Sequence, residues 1–109
     1  MADNVLDQAR ARLDGGKKWQ KYGLTGIYGR VCLVQALGEA SRGSGVTLYK
    51  GLKAVIDVVA EQYPDRGLDR NDHPRLGVSI PAFNDHPDTT WADIEAVLDK
   101  AARRLDEQL

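Results

Sequence analysis

Two copies of one short motif hold most of the residues that could do chemistry in this chain. The tetrapeptide Asn-Asp-His-Pro occurs at residues 71–74 and again at residues 84–87. Two imidazoles with one or two carboxylates are sufficient to bind Zn²⁺ or another divalent ion. The region around the two motifs contains both histidines of the chain and four carboxylates, namely His73, His86, Asp69, Asp72, Asp85 and Asp88.

The spacing of these side chains argues against a metal site. It matches no standard metal motif, and an EF-hand would need a glycine at its sixth position and a glutamate at its twelfth. Asn-Asp before Pro is also ordinary turn chemistry, in which short side chains bond to nearby backbone amides. We therefore predict two turns, and neither a metal nor another cofactor. If a metal does bind, its candidate ligands are His73, His86, Asp72 and Asp85.

A second possible chemistry is that of a thiol. Cys32 is the one cysteine of the chain, and it could act as a nucleophile with His73 or His86 as base and Asp85 as the group that orients it. Such catalysis needs an accessible thiolate. The sequence instead predicts Cys32 in the middle of a helix among valines and leucines, where a buried and unreactive thiol is typical. We therefore expect no catalytic residue and keep a metal- or thiol-dependent enzyme as the alternative.

A third candidate surface lies between two predicted helices. Lys17, Lys18 and Lys21 alternate with Trp19 and Tyr22, and lysines that meet phosphates beside rings that stack on bases are typical of single-strand nucleic-acid binding. The same pattern is expected when Trp19 packs on the core with its indole edge in water. We favour this second interpretation. The nearby glycines do not form a phosphate-binding loop.

Composition and charge set the broad class. The chain has 109 residues, of which 42% are hydrophobic and 28% charged, as in soluble single-domain proteins. The first ten residues contain Asp3 and Asp7 and no apolar stretch, so we expect no secretory signal, no membrane partner and a cytoplasmic location. Residues 1–53 carry a net charge of +5 and residues 54–109 a net charge of −6. This asymmetry could steer a partner, bring the two halves of one fold together or favour self-association. We favour a simpler interpretation, in which these charges are solvated faces that keep the protein soluble.

Helical periodicity dominates the chain. Residues 30–41 are apolar on almost every side, which predicts a central helix that other helices cover. We predict a mainly α, single-domain protein spanning residues 1–109, with about four helices around residues 30–41 and a long ordered loop at residues 64–89. The four predicted helices cover residues 4–14, 28–41, 47–63 and 91–107.

Local signals support these boundaries. Asp3 or Asn4 can cap the first helix, and Thr90 with Asp93 forms a carboxylate variant of the capping box at the last one. Gly15-Gly16 and Pro64 end the first and third helices. The predicted buried stripe of the third helix is Leu48, Leu52, Val55, Ile56, Val59 and Tyr63, and that of the last is Ile94, Val97, Leu98, Ala101 and Leu105.

The long loop should be held to the core midway. We predict one turn of helix at residues 79–84, with Phe83 as an apolar anchor. We also predict that Asn84 or Asp85 uses its side chain to tie this loop to free amides at the start of the last helix, which would make it a structural link.

The residues that we place at these points resemble a known family. Trp19, Cys32-Leu33 with Ala36-Leu37, Ile80 with Phe83-Asn84-Asp85, and Thr90 with Asp93-Ile94 followed by Leu98-Asp99-Lys100-Ala101 are similar to the pattern W…CLxGAL…IxxWND…TxxEVxxLLxxA of small uncharacterised proteins from actinobacteria and their phages. The resemblance runs from about residue 19 to residue 102.

This chain has Gln35 where the pattern has Gly, Phe83 where it has Trp, and Asp93 where it has Glu. These departures leave the fold that the resemblance implies unchanged. The resemblance implies a small helical fold and an actinobacterial or phage origin, and it implies no activity.

The absence of catalytic motifs and the charge asymmetry lead to one functional expectation. We expect a small non-enzymatic protein-interaction factor, phage-encoded or accessory, that acts on a host protein. Nucleic-acid binding through residues 17–22 and self-association remain open alternatives. The residues that we expect to contact the partner are Lys17, Lys18, Trp19, Lys21, Asp85 and His86.

Overall fold

A computed structural model describes residues 4–21, 29–67 and 79–108 of the chain. The predicted mainly α class is confirmed, and the predicted number of helices is roughly right. The described residues form six α-helices and a 3₁₀ turn: α1 (Val5–Arg12), the 3₁₀ turn (Asp14–Gly16), α2 (Leu33–Ala40), α3 (Gly45–Gln62), α4 (Pro64–Gly67), α5 (Ile80–Asp85) and α6 (Trp91–Gln108). None of these helices is both long and apolar enough to cross a membrane.

Helix α1 begins with a capping box at Asn4. The Asn4 side chain accepts hydrogen bonds from the amides of Leu6 and Asp7, and the Asp7 carboxylate accepts one from the Asn4 amide at 3.1 Å. These contacts satisfy amides that the first turn leaves without a helical partner. After α1 the chain turns through Gly15 (φ +61°) and Gly16 (φ +94°). The ring of Trp91 lies so close to Gly16 that an added Cβ would be 2.7 Å from its Cγ.

Helix α2 is shorter than predicted. The sequence predicted a start at residue 28, which lies outside the described residues, but Gly29 has φ +73° and Val31 is extended. Val31 forms an isolated parallel bridge with Trp19, in which the Val31 amide donates to the Lys18 carbonyl at 2.7 Å. The placement of Cys32 in the middle of a helix was therefore wrong: it is the N-cap of α2.

The long helices α3 and α6 pack against each other, and both were predicted. Helix α3 is capped by Ser44, whose hydroxyl accepts from the Thr47 amide, and it ends before Pro64. An ion pair between Glu61 and Arg104 connects α3 to α6 on the surface.

The core draws on α1, α2, α3, α5 and α6 and on the extended residue Val31. The predicted stripe of α6 is fully confirmed. On α3, Val55 and Val59 are buried as predicted, and Leu48, Leu52, Ile56 and Tyr63 pack against the core while only half-buried. The buried side also includes Gly51, Ala54 and Val58, so it is rotated from the predicted stripe. The buried hydrophobic residues are Val5, Leu6, Ala9, Leu13, Val31, Leu33, Ala36, Leu37, Ala54, Val55, Val58, Val59, Ile80, Phe83, Ile94, Val97, Leu98, Ala101, Ala102 and Leu105.

The predicted loop at residues 64–89 contains α4 and α5. Helix α5 confirms the predicted turn of helix at residues 79–84, and the Ser79 hydroxyl caps it by accepting from the Ala82 amide at 3.3 Å. Residues 68–78 of this loop lie outside the described residues. Helix α5 packs against α2, α3 and α4, and Phe83 is buried in the core.

Candidate functional site

The side chain of Asn84 connects three separate chain segments. Its Oδ1 accepts hydrogen bonds from Trp19 Nε1 at 2.7 Å and from the Leu33 amide at 3.1 Å, and its Nδ2 donates to the Gln20 carbonyl at 3.1 Å. Asn84 is only 1% exposed, so these bonds satisfy an amide that is cut off from water. The predicted structural link exists, but its predicted end was wrong: the free amide belongs to Leu33, the first residue of α2, rather than to the last helix.

Lys21 joins the same region from the side of Trp19. Its Nζ donates to the carbonyls of His86 at 2.7 Å and Pro87 at 3.3 Å, and it lies 5.9 Å from the centre of the Trp19 ring. The Asp85 carboxylate accepts from Asn84 Nδ2 at 2.9 Å. We call Trp19, Lys21, Asn84, Asp85 and His86 the Asn84 cluster. It unites four of the six predicted partner-contact residues and uses their polar groups within the fold.

The two remaining predicted contact residues lie beside this cluster. Lys17 is exposed and Lys18 half-buried, and the backbone of Lys18 takes part in the bridge to Val31. The Trp19 ring packs on Trp91 with centroids 6.3 Å apart and a tilt of 48°. Trp19 thus packs on the core as predicted, but its indole N–H donates to the buried Asn84 instead of to water. Tyr22, the other ring of the predicted nucleic-acid platform, lies outside the described residues.

The predicted metal candidates are divided between described and undescribed residues. His73 and Asp72 lie outside the described residues. Asp85 is the last residue of α5, and His86 follows it. His86 Nδ1 accepts a hydrogen bond from the Asp88 amide at 3.1 Å. The prediction that Asn84 and Asp85 form a turn was wrong, because these two residues end α5 and the Asn84 side chain bonds to distant segments. Within residues 4–21, 29–67 and 79–108, no three His, Cys, Asp or Glu side chains converge into a possible metal-binding group.

The thiol candidate is half-buried at the N-cap of α2. Gln35 Oε1 accepts from the Cys32 amide at 3.2 Å, as in a capping box. The hydrogen bond described at Cys32 therefore has a structural role, because it caps the first turn of α2.

A second polar cluster, which the sequence did not predict, links α3, α4 and α6. The Asp93 carboxylate accepts from Arg66 at 2.8 Å, from the Thr90 amide at 3.0 Å and from the Tyr63 hydroxyl at 3.3 Å. The Arg66 guanidinium also lies 4.9 Å from the centre of the Tyr63 ring. The capping pattern at Thr90 and Asp93 was visible in the sequence, but the partner at Arg66 was not.

The contacts of this cluster change the acidity of two side chains. Burial raises the pKa of Tyr63, and the adjacent Asp93 charge and hydrogen bond raise it further. Burial also opposes ionisation of Asp93, but the hydrogen bond from Thr90 and the contact with Arg66 outweigh it and lower the pKa of Asp93. The cluster therefore favours a charged Asp93 and a neutral Tyr63, which suits a link between helices.

One face of α3 differs from these clusters because its side chains point into solvent. Val46 is 67% exposed and Tyr49 is 65% exposed. Lys50 and Lys53 are exposed on the same side of the helix, since residues three, four and seven apart share a face. We call Val46, Tyr49, Lys50 and Lys53 the α3 outer face. Val46 and Tyr49 lie outside the buried stripe that the sequence predicts for this helix.

A small cleft borders the α3 outer face on the side of α1 and α6. It has a volume of about 190 Å³, and Lys50 and Thr47 line it from α3. Val5 and Leu105, each 6% exposed, line it from α1 and α6, and Asn4 completes the lining. Its surface is thus mainly apolar, and Lys50 is the charged residue among those that line it.

A larger cleft of about 430 Å³ lies between α1 and the start of α6. Its lining is mostly charged: Asp7, Arg10, Asp14 and Glu95 lie around Trp91. Arg10 pairs with Glu95 at 3.0 Å, and Asp7 caps α1, so part of this charge is already used within the fold.

Comparison with known proteins places the chain in a family. No curated protein and no solved structure matches this chain. A family model matches residues 1–104, which is nearly the whole length, and the chain therefore belongs to DUF6197, a family of unknown function.

Proposed function

We propose that this chain is a non-enzymatic protein-interaction factor that binds its partner through the α3 outer face. The observation that carries the proposal is the exposure of Val46 and Tyr49 on adjacent turns of one helix. They are the two large hydrophobic side chains that stand exposed within the described residues. Neighbouring exposed apolar side chains with polar groups around them are typical of interaction sites, and tyrosine is enriched at the centres of interfaces.

Among the described residues, the lysines of the α3 outer face also form no ion pair with another helix. Lys50 has no ion pair among the described residues, and Lys53 pairs only with Asp57 on its own helix at 3.1 Å. By contrast, Trp19 and Lys21 are held by hydrogen bonds within the Asn84 cluster. We therefore place the α3 outer face first. The surface of Lys17, Lys18, Trp19, Lys21, Asp85 and His86 remains our second candidate.

The setting of this interaction follows from the family resemblance. Similarity to proteins of actinobacteria and their phages supports an accessory or phage-encoded factor that acts on a host protein in the cytoplasm. Such a factor needs no chemistry of its own, because binding alone can alter the activity of the host protein.

The two alternative functions make different demands. An enzyme would use Cys32 and His86, and its activity should disappear in Cys32→Ser while the fold is retained. Nucleic-acid binding through Lys17, Trp19 and Lys21 should weaken steeply with rising salt, because neutralised phosphates release counterions.

The deciding experiment places a photo-crosslinking amino acid at position 49, at position 17 and, as a control, at the exposed position 92 of α6. We expect one partner protein to crosslink from position 49 in cells. Each candidate partner is then purified and titrated against the wild type and against the double variant Val46→Ser/Tyr49→Ser. We expect binding to weaken at least about tenfold in the double variant, since truncation of a hot-spot side chain at the centre of an interface costs about 2 kcal/mol or more.

The matched control is Ala92→Ser/Ala96→Ser, a pair of exposed substitutions on α6 that should leave the affinity unchanged. Crosslinks from position 17 alone would transfer the function to the second surface. Equal affinity of the wild type and the double variant would refute the α3 outer face, and the absence of any protein crosslink would refute the proposed function.

A further inference from the structure

We infer that the α3 outer face receives an acidic segment of the partner, which inserts one apolar side chain into the cleft between α1, α3 and α6. This inference rests on the proposed function and specifies the chemistry of the partner. Its evidence is the shape of the cleft, the charge at its edges and the poor fit of the other possible occupants.

The cleft has the form of a socket for a single side chain. Val5 and Leu105 are nearly buried and leave only a small apolar surface open, while on the α3 side Thr47 is half-buried and Lys50 is exposed. A volume of about 190 Å³ gives room for one aliphatic or aromatic side chain. Lys50 belongs both to the lining of the cleft and to the α3 outer face, so a chain that fills the cleft lies next to that face.

The charge on the α3 side of the cleft is positive. Lys50 lies at the edge of the cleft without an ion pair among the described residues, and Lys53 follows one turn later. The pair between Lys53 and Asp57 is exposed to water, where such pairs are weak, so a carboxylate of the partner can compete for this lysine. An acidic residue next to the inserted side chain would therefore meet one or two ammonium groups.

The α6 side of the cleft carries negative charge, which determines the direction in which the partner segment lies across the cleft. Asn4 lines the cleft, and its Nδ2 donates to the Asp106 carboxylate at 2.9 Å. The acidic residues of the partner should therefore lie over α3, and neutral or basic residues should lie over the end of α6.

A second copy of this chain fits the face poorly. In a two-fold symmetric dimer the same surface meets itself, which would bring Lys50 and Lys53 close to the same lysines of the other copy. The face is also small: its two apolar side chains cover far less than the roughly 800 Å² per partner of a standard interface. A short segment with complementary charge satisfies both conditions.

The test is a random peptide library displayed against the full chain, with counter-selection against the double variant Val46→Ser/Tyr49→Ser. We expect the enriched peptides to share an apolar residue next to Asp or Glu. Their affinity should fall about tenfold in Lys50→Glu, since reversing one charge of a close pair costs at least about 1.4 kcal/mol. Lys17→Glu changes the net charge by the same amount at a distant exposed site, and it should change the affinity less than about twofold.

The possible outcomes separate the inference from the proposed function. Peptides that need Val46 and Tyr49 but carry no acidic residue, or that bind Lys50→Glu as well as Lys17→Glu, would overturn the inference and leave the proposed function intact. A library that yields no peptide sensitive to the double variant would overturn both. Vesicles of phosphatidylserine are the remaining probe: binding to them that Lys50→Glu abolishes, without an acidic peptide, would show a lipid surface as the occupant and also overturn the inference.

Discussion

Trp19 Nε1 and Asn84 Oδ1 form a 2.7 Å hydrogen bond across 65 residues of sequence. The same oxygen accepts from the amide that starts α2, so one buried side chain determines how the segment after α1, the start of α2 and the end of α5 lie together. The polar groups of Trp19, Lys21, Asn84 and Asp85, which the sequence singled out, thereby form bonds within the fold. For this reason we propose the α3 outer face, rather than these residues, as the first surface to test for a partner.

We expect Asn84→Ala to destabilise the protein by about 2–4 kcal/mol, because it leaves the Leu33 amide, the Trp19 indole and the Gln20 carbonyl without their partner. Trp19→Phe removes only one of these bonds and should cost less. Urea unfolding followed by circular dichroism measures both changes. A loss below about 1 kcal/mol in Asn84→Ala would show that the link is dispensable.

We expect Gly16→Ala to be more harmful than Gly15→Ala, although both glycines have positive φ. Each alanine pays the cost of the left-handed conformation, about 1–2 kcal/mol. Only the new Cβ at Gly16 meets the Trp91 ring, at 2.7 Å, whereas nothing lies within 4 Å of the position at Gly15. Thermal melts of the two variants provide the comparison, and equal melting temperatures would argue against the close contact with Trp91.

We expect the contribution of Asp93 to the stability of the protein to depend on pH. Its pKa in the folded protein lies below its ordinary value, so its stabilising effect is present above the unfolded-state pKa. The effect is lost as the pH falls through the folded-state pKa. The difference in unfolding free energy between the wild type and Asp93→Asn should therefore be largest near neutral pH and shrink below about pH 4.

Arg66→Gln removes the charged partner of Asp93, so it should flatten the same pH dependence. Urea titrations at a series of pH values measure these differences. A gap between the wild type and Asp93→Asn that stays constant from pH 7 to pH 2 would contradict the assignment.

We expect the double variant Val46→Ser/Tyr49→Ser to keep its stability within about 0.5 kcal/mol per substitution, as is usual for exposed side chains. This result would show that the two side chains do not stabilise the isolated protein. Unfolding of the purified variant checks it, and a loss of several kcal/mol would mean that the two side chains support the core.

The sequence was sufficient where local periodicity decides the structure. The long helices α3 and α6 follow from repeated apolar positions and from their caps, and α5 follows from Ser79 and the anchor Phe83. The start of α2 was wrong because Val31 is held in an extended form by a backbone bridge to Trp19, a contact that local pattern does not contain.

Tertiary packing also explains the rotated stripe of α3. The side of α3 that packs closely on α1 includes the small residue Gly51, where an added Cβ would be 3.1 Å from Val5 Cγ1. A hydrophobicity pattern favours leucines such as Leu48 and Leu52 over so small a residue. The local pattern also does not show that Val46 and Tyr49 stay exposed, because their exposure depends on where α1 and α6 pack against α3.

The hydrogen bond from the Leu33 amide to Asn84 also indicates when this part of the protein folds. Its hydrogen bond to Asn84 closes a loop of 51 residues, and the bond from Trp19 to the same oxygen closes one of 65. Contacts so distant in sequence carry a large loop-closure entropy and form only when most of the chain is already compact. The Leu33 proton should accordingly exchange with solvent deuterium only through global opening, so that a single backbone site reports whether the whole molecule is closed.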